Sequence, residues 1–154
     1  MRRPRFRASL LVALAAVLLA PLGGCNLAEE TEVQPVQLAT VEETLFAPSL
    51  GVNLTAFTRT PSGLYYRDLD VGQGAAAQTG QRVTVRYTGW FATTGQRFDG
   101  TTGTDTFGPF TLGGRQVIAG WDEGLVGMRV GGRRQLLIPP ALAYGPNDYL
   151  IIPG

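Results

Sequence analysis

The side chains this sequence lacks narrow the chemistry it can do. All thirteen basic residues are arginine, there is no lysine and no histidine, and Cys25 is the single cysteine among 154 residues. Without lysine there is no Walker A loop and no Schiff base. Without histidine there is no Ser-His-Asp or Cys-His pair and no imidazole metal site. One cysteine gives neither an internal disulfide nor a cysteine zinc cluster. Catalysis, where it occurs, must rest on shape, burial and hydrogen bonds. Read by itself, the aspartate of FDG, Asp99, is an ordinary turn residue.

The formal charge of +1 is weighted by Arg2, Arg3, Arg5 and Arg7 at the start of the chain. Removing residues 1–24 leaves nine arginines against twelve acids, a net charge of −3 (9 − 12). That balance does not invite nucleic acid. MRRPRFR followed by ASLLVALAAVLLAPL has the positive start and apolar run of a secretory signal, and the run is short for a membrane span. Leu22-Gly23-Gly24-Cys25 comes next and resembles the bacterial lipobox, in which small residues precede a lipidated cysteine. The expectation is a lipoprotein signal over residues 1–24 and a lipid on Cys25. The protein would then be exported to a bacterial cell envelope with its domain in the periplasm. Asn26 after the cysteine favours the outer membrane. Residues 25–50 carry acids and prolines with no sustained period and read as a tether. Leu45, Phe46, Leu50 and Leu54 could instead form a short amphipathic element that docks on the domain.

A single domain is expected over residues 51–154. GLYYRDLD (Gly63–Asp70) reads as a first strand. In VTVRYTGW, Val83, Val85 and Tyr87 alternate with Thr84, Arg86 and Thr88, the period of a half-buried antiparallel strand. FATTGQRFDG turns at Thr94-Gly95 and returns through Phe98, FGPFTLGG adds an extended piece, and RRQLLIPP is a strand stopped by its proline pair. VIAGWDEGLVGM breaks the β pattern. Trp121, Leu125 and Met128 share one helical face, with Asp122 and Glu123 in the first turn, where the helix dipole favours acids. Gly124 and Gly127 each cost about 1 kcal/mol relative to alanine, so this helix should be short and held by packing. The predicted class is α+β, an antiparallel sheet folded around one short helix.

VTVRYTGW, QRFDGT, PFTLGG, QVIAGWDEGLVGM, LAYG and a closing IIP stand in the order and near the spacing of the FKBP-type peptidyl-prolyl cis-trans isomerases, and the chain resembles that family from about Thr60 to Pro153. The resemblance implies a five-stranded antiparallel sheet wrapped on a short helix, and an enzyme that rotates X-Pro bonds in an apolar pocket without a cofactor or metal. By the same resemblance Trp121 forms the pocket floor, and Tyr87, Phe98, Phe110, Val117 and Ile118 form its walls. The Ile118 N–H and the Tyr144 hydroxyl would donate to substrate carbonyls, and Asp99 would polarise the surroundings of the bound carbonyl. Ile151 and Ile152 would close over the pocket from the loop after AYG. The implied partners are proline-containing unfolded or partly folded polypeptides and macrolide inhibitors, together with a membrane through the lipid on Cys25.

Three departures from the family pattern stand out. Gly108 occupies a place often aromatic, with Phe107 or Phe110 able to compensate. Gln116 stands where a glutamate is common, keeping an acceptor but losing charge. The family's final interior strand has no counterpart after Pro153-Gly154, which raises the expectation of a C-terminally incomplete domain with stranded backbone donors and acceptors. The favoured function is a prolyl isomerase assisting the folding of exported proteins. The rivals are a noncatalytic chaperone or peptide-binding module using the same cleft, and an inactive truncated fragment.

Overall fold

A computed structural model of the chain describes residues 39–145 and 150–153. The leader, Cys25 and the first part of the expected tether lie outside the described residues. Eight strands and one α-helix follow in order: β1 (Thr58–Arg59), β2 (Tyr65–Asp70), β3 (Arg82–Val85), β4 (Thr88–Phe91), β5 (Arg97–Gly100), β6 (Phe107–Thr111), α1 (Ala119–Gly124), β7 (Arg133–Ile138) and β8 (Leu150–Pro153). Six strands form one sheet in the order β1-β2-β7-β8-β4-β5, and β3 pairs with β6 in a second, two-stranded sheet. Every pairing is antiparallel.

The VTVRYTGW stretch is two strands rather than one. Its alternation holds through Tyr87, but β3 ends at Val85 and β4 begins at Thr88. Between them the Tyr87 N–H donates to the Thr101 hydroxyl at 3.1 Å, and the Thr101 N–H donates to the Tyr87 carbonyl at 3.0 Å. Leaving the ladder at this point lets β3 join β6 while β4 joins the larger sheet.

The sheet has two covered faces, and side-chain alternation assigns them. On β2 and the residue before it, Leu64 and Tyr66 pack on the helix side while Tyr65 packs on the other; on β7, Leu136 and Ile138 face the helix side and Leu137 the other. The helix side gathers Leu64, Phe110, Leu112, Trp121, Leu136 and Ile138. The opposite side gathers Val41, Tyr65, Ala92 and Leu137, covered by Phe46, Leu50, Val52, Leu54 and Phe57. The stretch expected as a tether up to residue 50 is therefore docked from Val41 onward. Of the four apolar residues in the alternative reading, Phe46, Leu50 and Leu54 pack against the sheet and Leu45 points to solvent. The physical reason is pairing as well as burial: the Ala47 N–H donates to the Ala92 carbonyl at 2.8 Å, and Glu42 accepts from Tyr65 Oη and Arg59 Nε, each at 2.7 Å.

The helix is six residues long, so Gly127 falls outside it, and the two glycines it does contain, Gly120 and Gly124, have a packing reason. A Cβ at Gly120 would lie 2.4 Å from Ile138 Cγ2, and one at Gly124 would lie 2.8 Å from Leu136 Cδ2. Glycine at these i, i+4 positions lets the helix backbone lie directly on β7. Met128, expected on the helical face, falls beyond the helix end after Gly127, whose φ is +78°. Arg134 of β7 secures that end. Its Nη1 donates to the Gly124 and Val126 carbonyls at 2.9 and 3.0 Å, while Nε and Nη2 hold both oxygens of Asp68 at 2.7 and 2.9 Å. A buried cation at a helix C-terminus is favoured by the dipole, and the bidentate carboxylate satisfies the rest of the guanidinium.

The closing segment differs most from expectation. Leu150–Pro153 runs as β8 inside the sheet, opposite Gln135–Ile138 of β7 on one side and Trp90–Phe91 of β4 on the other. Its backbone therefore does not form a loop over the pocket at Ile151 and Ile152. It occupies the interior position where unpaired donors and acceptors were expected. The run of two isoleucines after a leucine has high β propensity, and the edges of β7 and β4 offer backbone groups that need partners. Arg133 and Arg134 line a cavity of about 850 Å³ that also borders β3.

Candidate active site

The helix, β3's continuation, β5 and β6 bring aromatic side chains to one place. Trp121 is only 6% exposed, and three rings surround it: Tyr87 at 5.0 Å between centroids and 78°, Phe107 at 5.6 Å and 88°, and Phe110 at 5.9 Å and 39°. Tyr87 also meets Phe107 edge-on at 5.8 Å. Edge-to-face contacts of this kind are favourable beyond the area they bury and fix ring orientation. Val117, Ile118 and Phe98 pack against the same cluster, half-buried. Phe98 fits because its β4 neighbour is glycine: a Cβ at Gly89 would lie 2.5 Å from Phe98 Cζ.

The polar groups at the rim are ordered by one short contact. The Tyr87 hydroxyl donates to Asp99 Oδ2 at 2.5 Å, and the Gly100 N–H donates to Asp99 Oδ1 at 2.7 Å. The bond from Tyr87, then that from Gly100, holds the Asp99 carboxyl below the usual carboxylate range. Burial, with the Asp99 bond second, pushes the Tyr87 hydroxyl up to about 12. At neutral pH the pair is a neutral phenol donating to an anionic carboxylate. Neither group is free to act as a proton shuttle near pH 7.

Two donors in the cluster are unspent. The Ile118 N–H, at the helix entry, donates to no described residue, and the buried Trp121 Nε1–H has no acceptor among the described residues. Gln116 uses its side-chain carbonyl to accept from the Thr111 N–H at 2.7 Å, so the acceptor expected there is employed in holding the loop. Tyr144 is 71% exposed and near enough to Tyr87 to act on it electrostatically.

Of the residues singled out from sequence, Tyr87, Phe98, Phe110, Val117, Ile118 and Trp121 come together in one cluster, with Asp99 bonded to its edge. Tyr144 lies at the surface nearby. The side chains of Ile151 and Ile152, and Cys25, lie outside what the structure describes. Phe107, one of the two phenylalanines able to compensate for Gly108, belongs to the cluster. Residues three apart on a regular strand face opposite sides, which would split Phe107 from Phe110. The pairing of β3 with β6 shifts register between Val83 and Val85, opposite this stretch, and both rings reach Trp121. Gly108-Pro109 was the available signal, since such a pair within a strand marks an irregularity. The 850 Å³ cavity beside β3 shares only Tyr87 and Trp121 with this cluster.

A sequence model described as FKBP-type peptidyl-prolyl cis-trans isomerase matches residues 73–154. The chain belongs to the FKBP family. An FK506-binding protein of Streptomyces anulatus is 49% identical over 85 residues, covering 55% of this chain and 68% of that protein. A probable FK506-binding protein of Corynebacterium glutamicum is 49% identical over 87 residues, covering 56% of this chain and 72% of the other. Among solved structures, FkpA from Escherichia coli superposes with a TM-score of 0.57 at 31% identity, covering 69% of this chain and 52% of that one. AtFKBP13 superposes with a TM-score of 0.56 at 33% identity, covering 63% of this chain and 93% of that one, and the α+β class, an antiparallel sheet with one short helix, is that of these structures. The family's activity is peptidyl-prolyl cis-trans isomerisation, and the substrates of this FKBP are proline-containing polypeptides.

Proposed function

We propose that this FKBP isomerises X-Pro bonds in the cleft over Trp121, and that it does so for exported proteins from a lipid-anchored position. The observation that carries the site reading is the Trp121–Tyr87–Phe107–Phe110 cluster, with the Ile118 N–H, which has no acceptor among the described residues, at its edge. Rotating an X-Pro bond requires loss of amide resonance, a barrier of roughly 18–20 kcal/mol, and breaks no bond. Planar amide resonance separates charge and is favoured by water, so an apolar cleft that takes up the proline ring weakens it. A donor fixed where the rotated carbonyl arrives then favours the twisted amide over the planar one. The Ile118 N–H is suited to that role, and the Tyr144 hydroxyl is a second, more exposed donor. Asp99, held anionic by Tyr87, contributes a fixed negative field at the cleft edge. Val117, Phe98 and Phe110 complete the walls.

The relatives named for FK506 binding support a macrolide of that class as a competitive ligand of the same cleft. Inhibition of isomerase activity by rapamycin, weakened by Tyr87→Phe and Asp99→Val and abolished by Trp121→Ala, is the expected result. Activity indifferent to all three substitutions would overturn the site. Intact folding and peptide binding without isomerisation would favour the noncatalytic binding module.

The leader and the Leu22-Gly23-Gly24-Cys25 pattern support export and lipidation. Mass spectrometry of the membrane fraction should find an acylated Cys25 as the first residue. A free, unacylated N-terminus would remove the anchor from this reading.

A further inference from the structure

The connection between β6 and α1, residues 112–118, is gripped by one carboxylate. Asp122, at the fourth position of the helix, accepts from the Gly113 N–H through Oδ1 at 2.8 Å and from the Arg115 N–H through Oδ2 at 2.9 Å. Both bonds lead away from the helix into the loop, so capping of the helix end does not account for them. Between them the chain turns at Gly114, whose N–H donates to the Thr111 carbonyl at 2.9 Å. Arg115 sits at φ +55°, alone among the described non-glycine residues in the left-handed region. An arginine holds that conformation only where its surroundings impose it. Three residues later the loop delivers Ile118, whose N–H has no acceptor among the described residues, and Trp121 immediately precedes Asp122.

We infer that Asp122 is a positioning residue for the isomerase. Its carboxylate fixes the Ile118 N–H relative to the Trp121 indole, so that donor and pocket floor are presented as one unit. The inference rests on the isomerase reading of the Trp121 cleft. Asp122 acts through the loop and touches no substrate. An amide cannot replace it, because asparagine has one acceptor oxygen and would aim its NH₂ at the other loop N–H.

The test uses the full chain with Asp122→Asn, Asp122→Glu, Arg115→Gly and the double variant Asp122→Asn/Arg115→Gly. Two readouts are needed: amide hydrogen exchange at Gly113, Arg115 and Ile118, and kcat and KM for a proline tetrapeptide. Asp122→Asn should speed exchange at Gly113 or Arg115 by about tenfold or more and lower kcat/KM about tenfold, the worth of a hydrogen bond to a charged group. Asp122→Glu keeps the carboxylate and should lose less. Glycine adopts φ +55° without strain, so Arg115→Gly should restore part of the activity lost in Asp122→Asn. A simple loss of helix stability would not be rescued that way. Unchanged exchange and unchanged kcat/KM in Asp122→Asn would overturn the role. A wild-type chain that does not isomerise would instead overturn the isomerase reading of the cleft. In that case exchange at Gly113 and Arg115 alone decides, and protection unaltered by Asp122→Asn counts against the grip.

Discussion

The two faces of the β2–β7 ribbon are built from the same strands and closed in different ways. On the face covered by residues 41–57, Glu42 takes the Tyr65 hydroxyl and Arg59, Arg67 Nη2 donates to Gln135 at 2.7 Å, and Arg67 lies 4.7 Å over the Phe57 ring, with its buried Nε left without an acceptor among the described residues. On the helix face, an equally apolar core ends in a ring of aromatics that leaves Ile118 N–H and Trp121 Nε1–H without described acceptors. An unsatisfied buried donor costs stability and calls for a partner such as water or a ligand, so the donors alone do not separate the two faces. What separates them is the cover, a docked arm on one face and the aromatic cluster around Trp121 on the other, and the proposed function places binding at the second.

Neighbouring leucines on β7 give the sharpest way to break that contrast. Leu136 faces the helix and Leu137 the docked arm, and each is 1% exposed. Either leucine replaced by alanine should cost about 2–5 kcal/mol of stability, measured by urea denaturation. Leu136→Ala should also depress kcat/KM, because Leu136 supports the helix at Gly124. Leu137→Ala should leave kcat/KM near wild type in the fraction that is folded. Equal losses of activity from both would erase the distinction between the faces.

Gly120→Ala tests the helix face by overpacking. The new methyl would meet Ile138 Cγ2 at 2.4 Å, so the helix or the buried Ile138 side chain must shift. A loss of about 1–3 kcal/mol is expected, with peptide binding weakened to the extent that the helix carries Trp121 with it.

Much of this was legible in the sequence. The alternation of Val83, Val85 and Tyr87, the short helix around Trp121 and the strand before the proline pair are local patterns that reflect burial on one side. What was not legible depended on partners distant in sequence. The docking of residues 41–57 showed in the sequence only as an alternative to a tether, because it rests on Tyr65, Ala92 and Leu137, which lie outside that stretch. The split at Tyr87 rests on Thr101, and the placement of Phe107 beside Phe110 rests on a register shift against β3. Asp122 read as a dipole partner in the first helical turn, because its loop contacts at Gly113 and Arg115 follow from the path of the turn rather than from periodicity.

Glu42→Gln addresses the arm face with a smaller expected effect. The Tyr65 hydroxyl bond, with its other partners, lowers the Glu42 carboxyl to about 2. Its folded-state pKa is below the unfolded value, so its contribution is fully present above about pH 4.5 and lost as pH falls toward about 2. Because the side chain is 40% exposed, screening reduces that contribution to about 1 kcal/mol. Wild type and Glu42→Gln should therefore differ at pH 7, converge near pH 2, and have the same kcat/KM at pH 7. A gap that persists in acid would assign the stabilisation to packing instead.

The smallest effect concerns the helix face. Asp99 stays ionised and Tyr87 stays protonated across the neutral range. Activity should vary by less than about twofold between roughly pH 6 and 9. A bell-shaped profile centred there would reveal a proton-transfer group that the cleft, as described, does not contain.

The central claim is that the helix face, and not the arm face, is the isomerase site. NMR exchange spectroscopy on an Ala-Pro peptide, with the full chain present in catalytic amount, measures cis-trans interconversion directly. The account predicts exchange cross-peaks that depend on the protein and vanish in a folded Trp121→Leu variant, while Glu42→Gln leaves them intact. Cross-peaks undiminished in folded Trp121→Leu, or lost in Glu42→Gln, would contradict it.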